Sequence, residues 1–575
     1  MLDLLIAGAE VIDGTGAPRR RADVAVRDGR VVAIGPTDEP ARRTIDASGL
    51  IVAPGFVDIH THYDAQLAWD PMASPSPLHG VTTAIGGNCG FSLAPAGADH
   101  ADYLMKMMAR VEGMPLAALE QGLGWDWTGF GDWISRLDGR IGINAGFLVG
   151  HSALRRVVMG DGAVGTAASP DQVARMVGLL HESLGAGGLG FSTSRAPTHN
   201  DGAGQPVPSR SASDDEMLAL AGAVRDHKGT TLEMILAGCI NGFTPDEVEL
   251  MASMSLAANR PVNWNVLGVS ALNPQRTADQ LAASTVAASR GATVVALTLP
   301  HAMKIRLSFL SGFVLDGLPG WRDVMALPVP ERMTALADPA VRRKLDAGAN
   351  SDEAGMLRGL ANWKVLELTE TFAPQNDAVA GRVVGDVAKE LGRAPFDVLL
   401  DVVLADGLRT GISPPTPPMS EADWALKTEV WRDPRAIVGG SDAGAHLDMM
   451  CGAIYSTEVL AGVRRFDGFS LEEAVQQLSD VPARFYGLRD RGRIEPGWWA
   501  DLVVFDPERV GHGPERTLQD LPGGASRLYA EGIGIEHVFV NGTEIVRGGV
   551  FSGDTPGAVL RSGHDTVTVP VPGGD

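Results

Sequence analysis

Hydrophobic and polar positions alternate in short runs at both ends of the chain. LDLLIAGAEVI, DVAVRDGRVVAIG and TIDASGLIVAP lie in the first fifty-four residues, and the same texture returns as ADLVVFDP (500–507) and EHVFVNGTEIVRGGVF (536–551). Asp28-Gly29 and Asn541-Gly542, each between alternating runs, predict two-residue hairpins. Neither end has enough strands to bury a sheet face alone. Together, residues 1–54 and 485–551 predict one small composite β-sandwich domain.

Between these ends the pattern changes to short apolar runs followed by stretches with helical spacing. Eight runs stand out: GFVDIHTH (55–62), TTAIGGNCG (82–90), NAGFLVGHS (144–152), GLGFSTS (188–194), TTLEMI (230–235), PVNWNVLG (261–268), ATVVALTLP (292–300) and AIVGGSDAG (436–444). Eight strand–helix units predict an α/β fold, a closed (β/α)8 TIM-like barrel over 55–484. Two intervals are too long for one crossover helix and read as insertions, 91–143 and 301–435, the second placed as a lid at the barrel mouth. Within the lid, Met303, Phe309, Trp321 and Trp363 fit core positions and substrate contacts equally. The tail, 552–575, is expected to be loosely attached.

Composition narrows the partners. With 48 Lys+Arg against 70 Asp+Glu, the 575-residue chain carries a formal charge of −22. That disfavours nucleic acid and an anionic membrane surface, both of which need a basic footprint. Three scattered cysteines make no disulfide framework, and no run reaches the length of a membrane span, so a cytoplasmic protein is expected. The hairpins and insertions offer surfaces for a homo-oligomer.

The first candidate chemistry is His60-Thr61-His62. In a strand, residues i and i+2 point to one side, so both imidazoles can reach one point, and a third ligand would complete a zinc site. Two such histidines can equally face solvent or share a core. Asp442 ends the eighth run and, in a closed barrel, would neighbour the first. It is a candidate ligand and general base, or else a helix N-cap. Cys89 ends the second run, within a loop containing Gly86, Gly87 and Gly90. It reads as a thiolate ligand or as a small buried hydrophobe.

IDGTG, AVRDGRVVAIG, ASGLIVAPGFVDIHTHYDAQ, GVTTAIGGNCGFSLAP, GHSALRR, GSDAGAH and GWWADLVVFDP occur in order from residue 6 to about 550. In these motifs the chain resembles the amidohydrolase superfamily, and within it the N-acyl-D-amino-acid deacylase branch. The resemblance implies a metal-bearing barrel that hydrolyses the amide bond of an N-acyl amino acid with zinc-activated water. One zinc is implied, and His60, His62, Cys89 and Asp442 inherit the metal-ligand positions. The branch places histidines on its fifth and sixth strands, where this chain has Glu233 and Asn265, and a lysine just after the second is missing. Glu233 is therefore a candidate ligand of a second subsite, and Asn265 a candidate for orienting a substrate carbonyl. His151 and Arg155 are expected to place positive charge at the mouth, and His446, one helical turn after Asp442, to contact substrate. The missing lysine keeps open a hydrolase of a cyclic amide, lactone or carbamate. The missing histidines keep open a non-catalytic binding protein on the same fold.

Overall fold

The computed structural model describes residues 1–301, 304–312 and 314–573, so Met303 lies outside the described residues. Both expected hairpins form. Arg20–Arg27 pairs with Arg30–Ile34 across Asp28-Gly29, and Ile535–Val540 with Thr543–Arg547 across Asn541-Gly542. All four turn residues have φ between 49° and 78°, the doubly left-handed geometry that suits the twist of adjoining strands. These strands belong to one nine-stranded sheet, in which Ile51–Pro54 joins the N-terminal strand Leu2–Val11 to the C-terminal strand Leu502–Phe505.

Alternation explains why that sheet is held on both faces. Leu502 and Val504 point into a core with Leu4, Ile6, Val24 and Phe539. Val503 and Phe505 point the other way, into the largest core of the molecule, beside Phe56, Leu78 and Val81. With side-chain period two, this strand contributes to both cores.

Each of the eight internal runs contains a parallel strand. Phe56–Asp58, Val81–Gly86 and Asn144–Phe147 form one sheet. Val149–Gly150, Gly190–Ser194, Thr231–Ile235, Val262–Leu267, Val294–Thr298 and Ala436–Val438 form another. Only Leu148 separates the two. The intervening helices carry local start signals: Ser169 with Gln172 opens Pro170–Gly185, and Thr244 with Glu247 opens Pro245–Ala258, each by reciprocal capping bonds. Val57, Ile85, Leu148, Val295, Leu297 and Ile437 meet in a core of their own, while Val294 and Ala296 face the helices.

The 301–435 insertion has a separate apolar core in which Phe309, Trp321, Trp363 and Phe396 pack together, so the three aromatic positions left open by sequence are insertion core. Trp125, Trp127 and Trp133 are likewise buried. The segment after 552 departs from expectation. It is bonded to its surroundings, Leu560 N–H to the Ala145 carbonyl and Val567 N–H to the Gly487 carbonyl, and Leu560 joins the core shared by the parallel strands. Its polar residues obscure these few anchoring contacts. No helix among the described residues is long and apolar enough to cross a membrane.

Candidate metal centre

His60-Thr61-His62 follows the Phe56–Asp58 strand directly, and both imidazoles are buried, with ring centroids 5.4 Å apart. The loop after Ala436–Val438 is laid against them by main-chain bonds. Asp442 donates its N–H to the His60 carbonyl at 3.1 Å, and His62 donates to the Ala443 carbonyl at 2.7 Å. Asp442 Oδ1 consequently lies 3.2 Å from His62 Nε2 and 3.8 Å from His60 Nε2. From the end of Val81–Gly86, Cys89 brings its Sγ to 3.6 Å from His60 Nε2. Three chain segments thus deliver four donors to one place.

This approach needs unusual backbone. Cys89, Asp442 and His446 all have φ between 48° and 58°, which for such residues costs about 1–3 kcal/mol each. At Gly87 (φ 74°) a Cβ would sit 2.1 Å from the Leu148 carbonyl oxygen, and at Gly444 (φ 90°) 2.5 Å from that of His62. Only glycine lets these loops come so close. The same left-handed residues prevent the helix expected after Asp442. The next helical turn begins at Gly452 and the next α-helix at Tyr455, so the helical reasoning for His446 fails. His446 still reaches the site through the loop, with Nε2 3.8 Å from Asp442 Oδ2.

Glu233 and Asn265 come to the sulfur side of the cluster. Glu233 Oε2 accepts the Cys89 N–H at 2.8 Å, and Asn265 Nδ2 donates to Cys89 Sγ at 3.3 Å. Glu233 belongs to neither group of converging metal donors among the described residues.

His151 and Arg155 do not line a mouth. They begin helix His151–Met159 one turn apart, so they share a face, and that face points at Glu216. His151 Nε2 lies 2.8 Å from Glu216 Oε1, Arg155 Nη1 donates to both Glu216 oxygens, and all three side chains are sealed from solvent. Their charge is consumed inside the protein.

Three residues near the site were not singled out from the sequence. Glu112 follows helix Ala98–Val111 in the smaller insertion and brings Oε2 to 3.5 Å from His62 Nε2. His199 bonds Ser194 Oγ at 2.8 Å and feels the charges of His446, His62 and Asp442. His301 is buried and under the influence of Lys427 and Asp442. Glu112 and His199 occupy no motif or strand end, so only tertiary packing reveals them, whereas His301 directly follows the seventh run (292–300), a strand-end position that could have marked it.

Burial and charge divide the titratable groups. Burial pushes the His60 imidazole down to about 3, assisted by the neighbouring His62. On His62 burial acts likewise, but Glu112, Asp442 and Asp64 outweigh it and hold the ring up at about 9. Burial raises Glu233 to about 8 and also raises Glu112 and the Cys89 thiol. Burial opposes ionisation of Asp442 too, yet the close approach and charge of His62, with the charges of His446 and His60, keep it below the usual carboxylate value.

These residues fit a divalent cation. The donors of His60, His62 and Cys89 lie within 4.8 Å of one another, as do those of His62, Glu112 and Asp442. His60 Nδ1, both His62 nitrogens and Glu233 Oε1 are buried with no hydrogen-bond partner, a costly arrangement for atoms with only structural duties. Two imidazoles and a thiol, which deprotonates on coordination, are donors characteristic of zinc.

The profile of the amidohydrolase family matches residues 43–546. D-aminoacylase of Alcaligenes xylosoxydans xylosoxydans is 30% identical, over 97% of this chain and 97% of its own. N-acyl-D-glutamate deacylase of the same organism is 29% identical over 97% and 96%. A crystal structure of D-aminoacylase superposes with a TM-score of 0.64 at 25% identity, covering 98% of this chain and 100% of that one. N-acyl-D-glutamate deacylase from Bordetella bronchiseptica, complexed with zinc and a phosphonate mimic of the tetrahedral intermediate, does so with 0.63 at 26%, covering 98% and 100%. The α/β fold is that of the amidohydrolases. With its metal-fitting cluster set at the ends of parallel strands, the chain belongs to the amidohydrolase family, hydrolases of carbon–nitrogen bonds other than peptide bonds.

Proposed function

We propose that this protein is a metal-dependent deacylase that cleaves the amide bond of an N-acyl amino acid, the D-enantiomer preferred. The convergence of His60, His62, Cys89 and Asp442 from separate strand ends carries the reading. Likeness to a D-aminoacylase and to an N-acyl-D-glutamate deacylase over almost the whole chain supports the substrate class. The two parallel sheets are read as one closed (β/α)8 barrel, with the end-derived sheet as a second domain. A core shared by strands of both sheets, and the bond from Asp442 N–H to the His60 carbonyl at the remaining seam, support closure.

Zinc held by His60, His62 and Cys89 would supply Lewis-acid polarisation of the amide carbonyl and acidify a water. Asp442 is the proton carrier: its side chain is 25% exposed, the most accessible of the four, and His62 and His446 face its two oxygens. It takes a proton from the attacking water and returns it to the departing nitrogen. Its lowered pKa keeps it ionised at neutral pH, ready to accept. Glu233 and Asn265 orient Cys89.

A cavity of about 750 Å3 is walled by Gly113 and Asp448, chain neighbours of Glu112 and His446, together with Lys106, Arg110, Arg306 and Arg409, and the metal-centre side chains lie outside its lining. Arg110 and Arg306 are paired with Asp316 and Glu370, and Lys106 with Asp102. Arg409 stacks on Phe372 at 4.6 Å and donates Nε to the Asp406 carbonyl. It is thus the cation best able to receive a substrate carboxylate in a chain of charge −22. Arg409→Ala is expected to raise KM for N-acyl amino acids about tenfold with kcat nearly unchanged, the mark of a lost binding contact.

A panel of N-acyl-D-amino acids, their L-enantiomers, cyclic amides and lactones, offered to the zinc-loaded protein, tests the reading. Turnover confined to the N-acyl-D series supports it. Preference for cyclic amides or lactones would replace it with the second reading, favoured by the lack of a lysine in the sixth strand, Val262–Leu267. No turnover of any would leave a binding protein.

A further inference from the structure

We propose that Glu112, carried by the 91–143 insertion, is itself a ligand of the metal centre, acting with His62 and Asp442. The proposal rests on the metal-dependent reading above and extends it to a residue outside the strand ends.

Glu112 is buried, and its backbone duties are generic. Its N–H closes the preceding helix on the Met108 carbonyl, and its carbonyl accepts the His446 N–H. Any residue could serve those bonds. The carboxylate needs a separate reason, because a buried charge without compensation costs several kcal/mol. Its side chain approaches His62 Nε2 at 3.5 Å, with Asp442 Oδ1 at 3.2 Å from the same nitrogen. Neither contact is a directed hydrogen bond: the His62 ring is sealed from solvent, and both its nitrogens lack hydrogen-bond partners. A nitrogen facing two carboxylates off the hydrogen-bond line suits a cation between them better than a proton on one of them.

Charge balance agrees. Two carboxylates approach one nitrogen in a largely buried place, and a divalent ion held there would balance their charge. The other side of the cluster offers less. Glu233 engages Oε2 with the Cys89 N–H and Asn265 its amide with the sulfur, and Glu233 stands outside both groups of converging donors, whereas Glu112 belongs to one of them and brings its carboxylate to His62. The position of the insertion is fixed accordingly. At Gly113 (φ 57°) a Cβ would lie 3.1 Å from His446 Cα, so the segment carrying Glu112 rests on the segment carrying Asp442.

The test uses the full chain as wild type, Glu112→Gln and Glu112→Ala. His62→Ala serves as a positive control and the exposed Glu120→Gln as a negative one. Zinc affinity is measured by chelator competition, the visible spectrum is recorded with cobalt(II), and denaturation is followed on metal-free protein. Both Glu112 variants are expected to bind zinc at least about tenfold more weakly and to alter the cobalt spectrum. Metal-free Glu112→Gln is expected to be as stable as wild type or more so, since a buried charge has gone. Wild-type affinity and spectrum in both variants would overturn the ligand role while leaving the hydrolase reading intact. So would a loss of affinity accompanied by equal destabilisation of the metal-free protein. A wild type that takes no zinc would overturn both. If Glu112→Ala fails to fold, the near-isosteric Gln variant decides.

Discussion

Two buried clusters of histidine and carboxylate invite comparison. Around Glu216, His151 has both ring nitrogens engaged, with Thr193 and with the carboxylate, and Arg155 spans the same carboxylate and two carbonyls. Around His62 the carboxylates stand farther off, Asp442 at 3.2 Å and Glu112 at 3.5 Å, and His60 Nδ1 and both His62 nitrogens have no hydrogen-bond partner. The first cluster sits on regular helices. The second sits on loops with left-handed residues at Cys89, Asp442 and His446. A satisfied buried network holds a fold together, whereas one kept unsatisfied on strained backbone is shaped for something that arrives later.

The sharpest way to break this contrast is Asp442→Asn. It is expected to lower kcat on an N-acyl amino acid by roughly 10²–10⁴ with the circular-dichroism spectrum unchanged, as befits a lost proton carrier. A near-normal rate would place the chemistry elsewhere. At the other cluster, Glu216→Ala strands a buried guanidinium and should destabilise by about 3–5 kcal/mol, read from the denaturation midpoint. Metal bound per folded chain should stay the same. Equal metal loss in that variant would mean the two clusters are one system.

A smaller change separates holding a ligand from being one. Asn265→Ala removes the bond to Cys89 Sγ and should weaken zinc about 10–100-fold, measured by chelator competition, while stability barely moves.

The gentlest probe is acid. Burial would raise Glu216, but the bonds and charges of His151 and Arg155 keep it below its ordinary 4.5, so its stabilising contribution is complete above that value and fades as pH falls below it. Burial lowers His151, so stability also declines below 6.5 as the unfolded chain takes up that proton. Glu216→Gln should therefore flatten the acid limb of a stability–pH curve below 4.5. An unchanged limb would show that Glu216 is not the group being titrated.

Much of this organisation is local and was legible in the residues. Period-two alternation and the Asp-Gly and Asn-Gly turns determine the hairpins of the end-derived sheet. Eight apolar runs, most followed by helical spacing, mark the parallel strands, the third run holding two of them. His60-Thr61-His62, Cys89 and Asp442 announce themselves by standing where those runs end. Such features depend on neighbours within a few residues, and spacing along the chain records them.

Spacing misleads where a helix folds a motif inward. His151 and Arg155 look like mouth residues until the face they share is seen to meet Glu216, sixty residues away. His446 looks helical until the left-handed turns of its loop are known, and the tail looks loose until Leu560 is found in the core. Glu112, just after an insertion helix with no motif, reaches His62 where its segment rests on the loop carrying His446, a close approach that Gly113 eases. What tertiary structure alone decided are encounters between segments far apart in sequence, because burial and charge compensation act through space and leave no periodic trace in the chain.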